Sequence, residues 1–123
     1  MKLETMRPNP TWDTAGYEDA IETFASNRSS ITVRIWGGDW CTDCRQLLPD
    51  FAAALEAAEV PKDRIEVIPV DRDFDGNGVD EYDIERIPTI VVEYEDGDEV
   101  VRFVERERHP PVVWLADAID ERR

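Results

Sequence analysis

The sequence predicts an α/β fold in which helices cover a mixed β-sheet. An apolar, β-branched run from Ile31 to Trp36 is followed by a helical pattern and then by a second such run from Ile65 to Val70. This strand–helix–strand order gives two parallel strands joined by a right-handed crossover. Two further runs, Pro88 to Tyr94 and Glu99 to Glu105, flank a hairpin-turn signal at Gly97 and add antiparallel strands. We therefore expect a sheet of four strands.

Length and composition indicate one domain. The chain has 123 residues, of which 41% are hydrophobic, enough for one core but not for two. We expect a single domain over residues 1–123, with residues 1–13 as an N-terminal arm laid over its surface. Within that arm, Lys2 to Met6 is a candidate fifth strand. No apolar run approaches ~20 residues, and Met1 to Thr14 lacks an apolar signal-peptide segment, so we expect a cytoplasmic protein without a membrane span.

Three segments have helical periodicity. The first, Tyr17 to Ser26, has an apolar and an acidic face and ends at a polar break. The second runs from about Thr42 to Glu59 and contains Pro49, whose missing N–H predicts a kink. The third, Val112 to Arg123, follows two prolines. A shorter helical turn is expected from Tyr82 to Ile87, just before the third strand.

The chain is strongly acidic and poor in lysine. It has 29 Asp and Glu residues against 14 Lys and Arg, a formal net charge of −15, and only Lys2 and Lys62 are lysines. Such a charge repels nucleic acid and anionic membranes, so we expect neither as a partner. Concentrated salt screens charges over a few ångström and makes dense surface carboxylates tolerable. The composition therefore predicts a halophilic protein, typical of a halophilic archaeon.

The only two cysteines, Cys41 and Cys44, stand where the first strand is followed by the second helix. A strand, a tight turn and a helix that begins at a Cys-x-x-Cys pair are typical of a thiol–disulfide redox site. Unpaired N–H groups and a partial positive charge at the helix N-terminus favour a thiolate at Cys41. We expect Cys41 to be the nucleophile and Cys44 the resolving thiol. Asp43 stabilises the helix start but opposes a thiolate, so its net effect on Cys41 stays open.

Metal binding is the alternative role for the two cysteines and for the acidic segment after the second strand. Zinc needs four ligands, and only His109 is available to join the two cysteines, so we expect no metal there and assign His109 to a loop. The segment Asp71 to Tyr82 resembles an EF-hand loop but ends in tyrosine where a bidentate glutamate is required. We expect a solvated acidic loop. Arg34, inside the first strand, either reaches a sheet edge or pairs with a carboxylate.

The order of elements and four local motifs resemble the thioredoxin family over nearly the whole chain. Trp40 precedes the first cysteine as in the family's Trp-Cys-Gly-Pro-Cys, and Pro49 falls at the family's helix kink. Ile87-Pro88-Thr89 matches the family's Ile-Pro-Thr, whose proline is cis and lies against the active-site sulfurs. Gly97 falls in the hairpin between the last two strands. The resemblance implies a thioredoxin-like fold of four, or five, strands flanked by helices.

The sequence also departs from the family pattern. Thr42-Asp43 stands between the cysteines instead of Gly-Pro, and resembles the Trp-Cys-Pro-Asp-Cys of thioredoxin-related proteins. Ile35 occupies the position of the family's buried aspartate, which assists proton transfer, and Val67 that of its lysine partner. Arg86 replaces the glycine before Ile-Pro-Thr, and the family's first strand has no convincing counterpart. The resemblance therefore carries over the redox chemistry rather than thioredoxin's own substrates.

The resemblance implies a thiol–disulfide oxidoreductase that reduces disulfides of proteins or small thiols with the dithiol of Cys41 and Cys44. It implies no bound cofactor, an upstream disulfide reductase as partner, and a monomer. The alternative is a thioredoxin-like adaptor, whose groove docks peptides while the cysteines take no part in turnover. The residues implied in substrate binding are Trp40, Thr42, Asp43, Arg86, Ile87 and Pro88.

Overall fold

The computed structural model describes residues 3–122, which form four strands and three α-helices. In chain order, these are α1 (Glu18–Asn27), β1 (Ile31–Gly37), α2 (Thr42–Ala57), β2 (Ile65–Pro69), β3 (Thr89–Tyr94), β4 (Glu99–Val104) and α3 (Pro111–Arg122). Two short 3₁₀ turns, Glu4–Met6 and Lys62–Arg64, precede α1 and β2. Each bound lies within two residues of the predicted one, and Arg123 is outside the described residues.

The strands form one mixed sheet in the order β2-β1-β3-β4. β1 pairs in parallel with β2 and antiparallel with β3, and β3 pairs antiparallel with β4. The prediction of a four-stranded mixed sheet in an α/β fold is confirmed. β1 lies in the middle because its apolar side chains, Ile31, Val33, Ile35 and Trp36, are all fully buried. β2 and β4 are the two edges.

The two faces of β1 meet different layers, since side chains alternate along a strand. On one face, Gly37 adjoins Leu48 of α2. On the other face, the ring of Trp36 lies 4.9 Å from that of Tyr82, and its indole N–H donates to the carbonyl oxygen of Asn77 at 2.8 Å. The helical layer is held together by Phe24 of α1 and Phe51 of α2, whose rings meet edge-on at 6.1 Å. The acidic loop therefore covers the face of the sheet opposite α2.

Arg34 lies on the loop-covered face and pairs with carboxylates. Its Nε donates to Glu93 of β3 at 2.9 Å, and its Nη1 donates to Glu66 of β2. Glu93 also accepts the hydroxyl hydrogen of Tyr82 at 2.7 Å. Burial opposes the charge on Arg34, but the hydrogen bonds to the two carboxylates outweigh it and raise its pKa. Of the two roles open for Arg34 from sequence, the ion pair is the one observed.

The candidate fifth strand is wrong for the part of it that the structure describes. Glu4–Met6 forms a 3₁₀ turn, while Lys2 lies outside the described residues. The physical reason is that the Asp39 carboxylate accepts the backbone N–H groups of Glu4 and Thr5, at 3.2 and 3.0 Å. Those two donors are therefore not available to a strand ladder.

The helical turn predicted from Tyr82 to Ile87 is also wrong. The chain turns only as far as Asp83, which has φ of 55°, and it is not helical from Ile84 to Pro88. A proline disfavours the helical conformation in the residue before it, which acts here on Ile87. The carbonyl oxygen of Tyr82 accepts a hydrogen bond from Arg102 of β4 at 3.0 Å, which fixes the turn to the sheet instead.

Helix α2 runs through Pro49 and ends at Ala57, two residues before the predicted end. It ends there because Glu59 adopts φ of 59° and the N–H of Val60 bonds back to the carbonyl oxygen of Leu55 at 3.1 Å. This is a helix-terminating motif in which a left-handed residue closes the last turn.

Within residues 3–122, no helix combines the length and apolarity needed to cross a membrane.

Candidate active site

Cys41 caps the N-terminus of α2. Its Sγ accepts the backbone N–H of Cys44 at 3.3 Å, and its backbone is extended while Thr42 begins the helix. The Cys41 thiol in turn points at the carbonyl oxygen of Ile87, 3.7 Å away. The sulfur thus lies where the partial positive charge of the helix is strongest, which is the position that favours a thiolate.

The two sulfurs differ in exposure. Both cysteines are free thiols; Cys41 is 8% exposed, whereas Cys44 is fully buried beneath it. Burial, followed by the hydrogen bond with Cys41, raises the pKa of the Cys44 thiol. Cys44 therefore keeps its proton at neutral pH, and Cys41 is the less buried of the two cysteines.

The segment before β3 brings backbone groups to Cys41. The Ile87–Pro88 peptide bond is cis, and both residues are buried. The carbonyl oxygen of Pro88 accepts the N–H of Glu105 at 2.7 Å, and the Thr89 hydroxyl donates to the carbonyl oxygen of Arg86 at 2.6 Å. These bonds fix the segment between β3 and the end of β4.

Trp40 is held by its ring nitrogen and its face. The indole N–H donates to the carbonyl oxygen of Val70 at 2.8 Å, and the Arg72 guanidinium lies 5.4 Å from the ring. A Cβ on Gly38 would come within 2.5 Å of the Trp40 ring nitrogen, so only glycine fits at that position. Trp40 is half-buried next to Cys41.

Asp43 pairs with Arg106, a residue that sequence reasoning did not identify. Arg106 follows β4, and its Nη2 lies 2.8 Å from the Asp43 carboxylate. The same guanidinium donates to Asp43 through Nε at 3.0 Å and to the side-chain oxygen of Gln46 at 2.9 Å. The pair joins residues 63 positions apart. No local pattern indicates it, beyond an acidic residue in the motif that lacks a predicted partner.

Thr42 and Arg86 are exposed at the rim of the site. The Thr42 hydroxyl accepts a hydrogen bond from Arg45 at 3.4 Å. Arg86 is 67% exposed and lies 3.3 Å from Glu105. The structure therefore brings the predicted substrate-binding residues to one region, and the carbonyl oxygen of Ile87 contacts the Cys41 sulfur.

The N-terminal arm reaches the site, which the sequence did not predict. Leu3 is buried next to Gly37, where a Cβ would lie 3.3 Å from Leu3 and 3.5 Å from the Cys44 sulfur. The absence of a side chain at Gly37 makes room for both groups. Hydrogen bonds from the arm to Asp39, two residues before Cys41, hold it there. Gly37 was the available signal, because a glycine in a buried strand often marks a close approach.

The positions of the family's buried acid and its lysine partner are apolar here. Ile35 is fully buried, and it faces Val67 of β2 and Ile90 of β3 in the strand register. Cys44 therefore has no carboxylate at that position to take its proton.

The acidic loop uses its first carboxylate within the chain. Asp71 accepts the backbone N–H groups of Asp73 and Asp75, both at 2.9 Å. Across residues 3–122, no group of three or more His, Cys, Asp or Glu side chains is arranged to hold a metal ion. His109 is exposed in the loop between β4 and α3. That the loop binds no calcium stays a prediction.

A mixed four-stranded sheet with a Cys-x-x-Cys pair at the start of a helix and a cis-proline beside it defines a thioredoxin-like protein. A family model described as Thioredoxin matches residues 11–114, so the chain belongs to the thioredoxin family. It is similar to the solved structure of Fasciola hepatica thioredoxin, with 25% identity, 87% of this chain and 94% of that chain covered, and a TM-score of 0.53.

The oxidized form of mitochondrial thioredoxin 3 from Saccharomyces cerevisiae is also similar in structure. It has 16% identity, coverage of 82% of this chain and 89% of that chain, and a TM-score of 0.51. A search of curated proteins gives no match. The family match begins at Thr11, after the part of the arm that contacts Asp39.

Proposed function

We propose that the protein is a thiol–disulfide oxidoreductase that reduces disulfides of proteins or small thiols. The observation that carries the proposal is the hydrogen bond from the Cys44 N–H to the Cys41 sulfur at the start of α2. The N-terminus of a helix is a position that favours a thiolate over a thiol, and exchange requires a thiolate. The second sulfur, one helical turn further on, is positioned to resolve the bond that the first one forms.

Reduction proceeds in two exchange steps. The Cys41 thiolate attacks one sulfur of the substrate disulfide; that S–S bond breaks, a mixed disulfide forms, and the first substrate thiolate leaves and takes up a proton. Cys44 then attacks the Cys41 sulfur, and the second substrate thiolate leaves. Two electrons have passed to the substrate, and the protein holds a Cys41–Cys44 disulfide. An upstream disulfide reductase supplies the two electrons that restore the dithiol, and no bound cofactor is needed.

The proton of Cys44 requires an acceptor in the second step, because burial keeps this residue protonated. Ile35 and Val67 offer none. We assign the role of proton acceptor to the substrate sulfur that is bonded to Cys41 in the mixed disulfide. This sulfur becomes a basic thiolate as it leaves Cys41. The proton then moves from Cys44 to the leaving group as the S–S bond breaks.

The substrate lies, in this proposal, across the surface around Cys41. The Ile87–Pro88 segment contacts the sulfur through a carbonyl group, and the exposed side chains around it would select the substrate. The protein acts as a monomer in the cytoplasm, where its two cysteines remain reduced. The residues proposed to bind the substrate are Trp40, Thr42, Asp43, Arg86, Ile87 and Pro88.

The test is reduction of insulin by dithiothreitol in concentrated salt, followed as turbidity. The wild-type protein is expected to accelerate the reaction, and Cys41→Ser and Cys44→Ser are expected to abolish it, because one thiol cannot complete a two-electron cycle. Non-reducing gels with mass spectrometry should find mixed disulfides trapped on Cys44→Ser and few or none on Cys41→Ser. Trapping on Cys41→Ser alone would reverse the two roles. A folded wild-type protein that reduces no disulfide would favour the peptide-binding adaptor instead.

A further inference from the structure

The side chain of Arg106 lies over the first two turns of α2. It makes contacts of 2.8 and 3.0 Å with one carboxylate oxygen of Asp43 and one of 2.9 Å with Gln46. Its backbone is also fixed, since its N–H bonds to the carbonyl oxygen of Val104 at 2.6 Å. The guanidinium is thus held against Asp43, one of the two residues between the cysteines.

The backbone next to Arg106 joins it to the Ile87–Pro88 segment. Glu105 adopts φ of 55°, and its N–H donates to the carbonyl oxygen of Pro88 at 2.7 Å. Pro88 directly follows Ile87, whose own carbonyl oxygen contacts the Cys41 thiol. Two hydrogen-bonded segments, Ile87–Pro88 and Glu105–Arg106, therefore position the group that contacts the sulfur and the cation that contacts Asp43.

Asp43 carries a negative charge in the same motif as Cys41, whose sulfur must also become negative for thiol–disulfide exchange. It lies two residues after Cys41 and directly before Cys44, and it is only partly exposed. Its charge is one of the causes that raise the pKa of the Cys44 thiol, after burial and the hydrogen bond with Cys41. In a chain with a formal net charge of −15, an uncompensated carboxylate here would oppose the thiolate form of Cys41.

The other charged groups around Cys41 have partners of their own. Asp39 accepts hydrogen bonds from the arm, and Arg45 donates to the carbonyl oxygen of Asp39 at 2.9 Å. Arg72 lies over the Trp40 ring, and Arg86 pairs with Glu105. Among the residues that the structure describes, Arg106 is therefore the cation that pairs with Asp43.

We propose that Arg106 is a positioning residue of the redox site, which neutralises Asp43 and thereby maintains the thiolate fraction of Cys41. The proposal rests on the proposed thiol–disulfide function and assigns a regulator of its nucleophile. It differs from a purely structural role: a surface ion pair whose arginine is 63% exposed contributes little to stability, so its loss should alter the ionisation of Cys41 more than the fold.

The experiment measures the rate of Cys41 alkylation by iodoacetamide against pH at low salt, with the modified residue identified by mass spectrometry. Arg106→Gln is expected to raise the pH midpoint of the alkylation rate by about half a pH unit. At a pH below that midpoint, alkylation of Cys41 should then be about threefold slower than in the wild type. Asp43→Asn should lower the midpoint. When Asp43→Asn is already present, adding Arg106→Gln should shift it much less. Arg106→Lys should restore part of the wild-type value.

Arg108→Gln is the matched control, because Arg108 is an exposed arginine in the same loop. An unchanged midpoint in folded Arg106→Gln would overturn the proposal. The proposal would also fail if Arg106→Gln shifted the midpoint equally in the wild type and in Asp43→Asn. It would fail as well if Arg108→Gln shifted the midpoint as much as Arg106→Gln, because the effect would then come from the general field of the protein. If Arg106→Gln does not fold, an unchanged midpoint in Asp43→Asn would overturn it. Because alkylation requires no turnover, this result is independent of the insulin assay.

Discussion

The carboxylate of Asp39 accepts a 3.0 Å hydrogen bond from the backbone N–H of Thr5. The bond connects the N-terminal arm, most of which lies outside the family match, to the turn just before Cys41. Leu3, next to the bonded turn, is buried beside Gly37 and near the Cys44 sulfur. The arm is therefore part of the packing that keeps the Cys44 thiol away from solvent.

Shortening Leu3 should loosen that packing. Leu3→Ala removes a buried side chain and is expected to lower the free energy of unfolding by about 2 kcal/mol. It should also make Cys44, which is fully buried in the wild type, reactive towards a small alkylating reagent. Mass spectrometry after timed alkylation measures this, with the exposed Arg7→Ala as control. Cys44 that stays unreactive in folded Leu3→Ala would show that the arm does not shield it.

The bond to Asp39 should make docking of the arm pH-dependent. Burial opposes the charge on Asp39, but the hydrogen bonds from Thr5 and Glu4 outweigh it and lower its pKa. A carboxyl group with a lowered pKa stabilises the fold above the usual aspartate range, about pH 4, and this contribution is lost as the pH falls through the lowered value. In urea unfolding, the wild type should exceed Asp39→Asn in stability at neutral pH, and the difference should narrow in acid. A difference that is constant with pH would contradict this.

Removing Arg34 should destabilise the sheet. Glu93 is only 7% exposed, so Arg34→Leu leaves a buried carboxylate without its cation and should cost about 2 to 3 kcal/mol. Glu66→Gln, at a side chain that is 53% exposed, should cost less than about 1 kcal/mol. Adding Glu93→Leu to Arg34→Leu should recover much of the loss. Chemical unfolding measures all three, and equal costs for the two single changes would refute the assigned role of Glu93.

Arg86 should influence which disulfides are reduced. Its side chain is 67% exposed and lies 3.3 Å from Glu105, and it precedes the segment that contacts Cys41. A guanidinium there attracts acidic substrates. Arg86→Gly should lower the rate ratio between acidic and neutral disulfides about threefold with little change in stability. Arg28→Gly, at the end of α1, removes the same charge and serves as control. Identical selectivity in all three proteins would refute this role.

The acidic surface should make stability depend on salt. With a formal net charge of −15, self-repulsion weakens the fold at low ionic strength, and concentrated salt relieves it. The thermal midpoint should therefore be higher in about 2 M than in about 0.1 M KCl. A midpoint that is unchanged or lower in the concentrated salt would rule out the halophilic interpretation.

The parts of the fold that depend on local pattern were predictable. The β-branched run of β1, the Cys-x-x-Cys pair and Ile-Pro-Thr each indicate their element within a few residues of sequence. The contacts that complete the site are polar pairs between distant segments, such as Asp43 with Arg106 and Asp39 with Thr5. Hydrophobic periodicity shows which face is buried, but it does not show which charges meet. For the same reason the sequence leaves two alternatives for Arg34, and only the structure shows its hydrogen bond to Glu93.

The edge position of β2 has a consequence for how copies of the protein meet. Its outer backbone groups pair with no strand among residues 3–122, and such an edge is a template on which another chain can add. β2 is short and ends at Pro69, and both features discourage that addition. Mutual repulsion between acidic molecules is the remaining barrier. Salt that stabilises the individual fold therefore also lets molecules approach each other, so resistance to aggregation rests increasingly on this short, proline-ended edge.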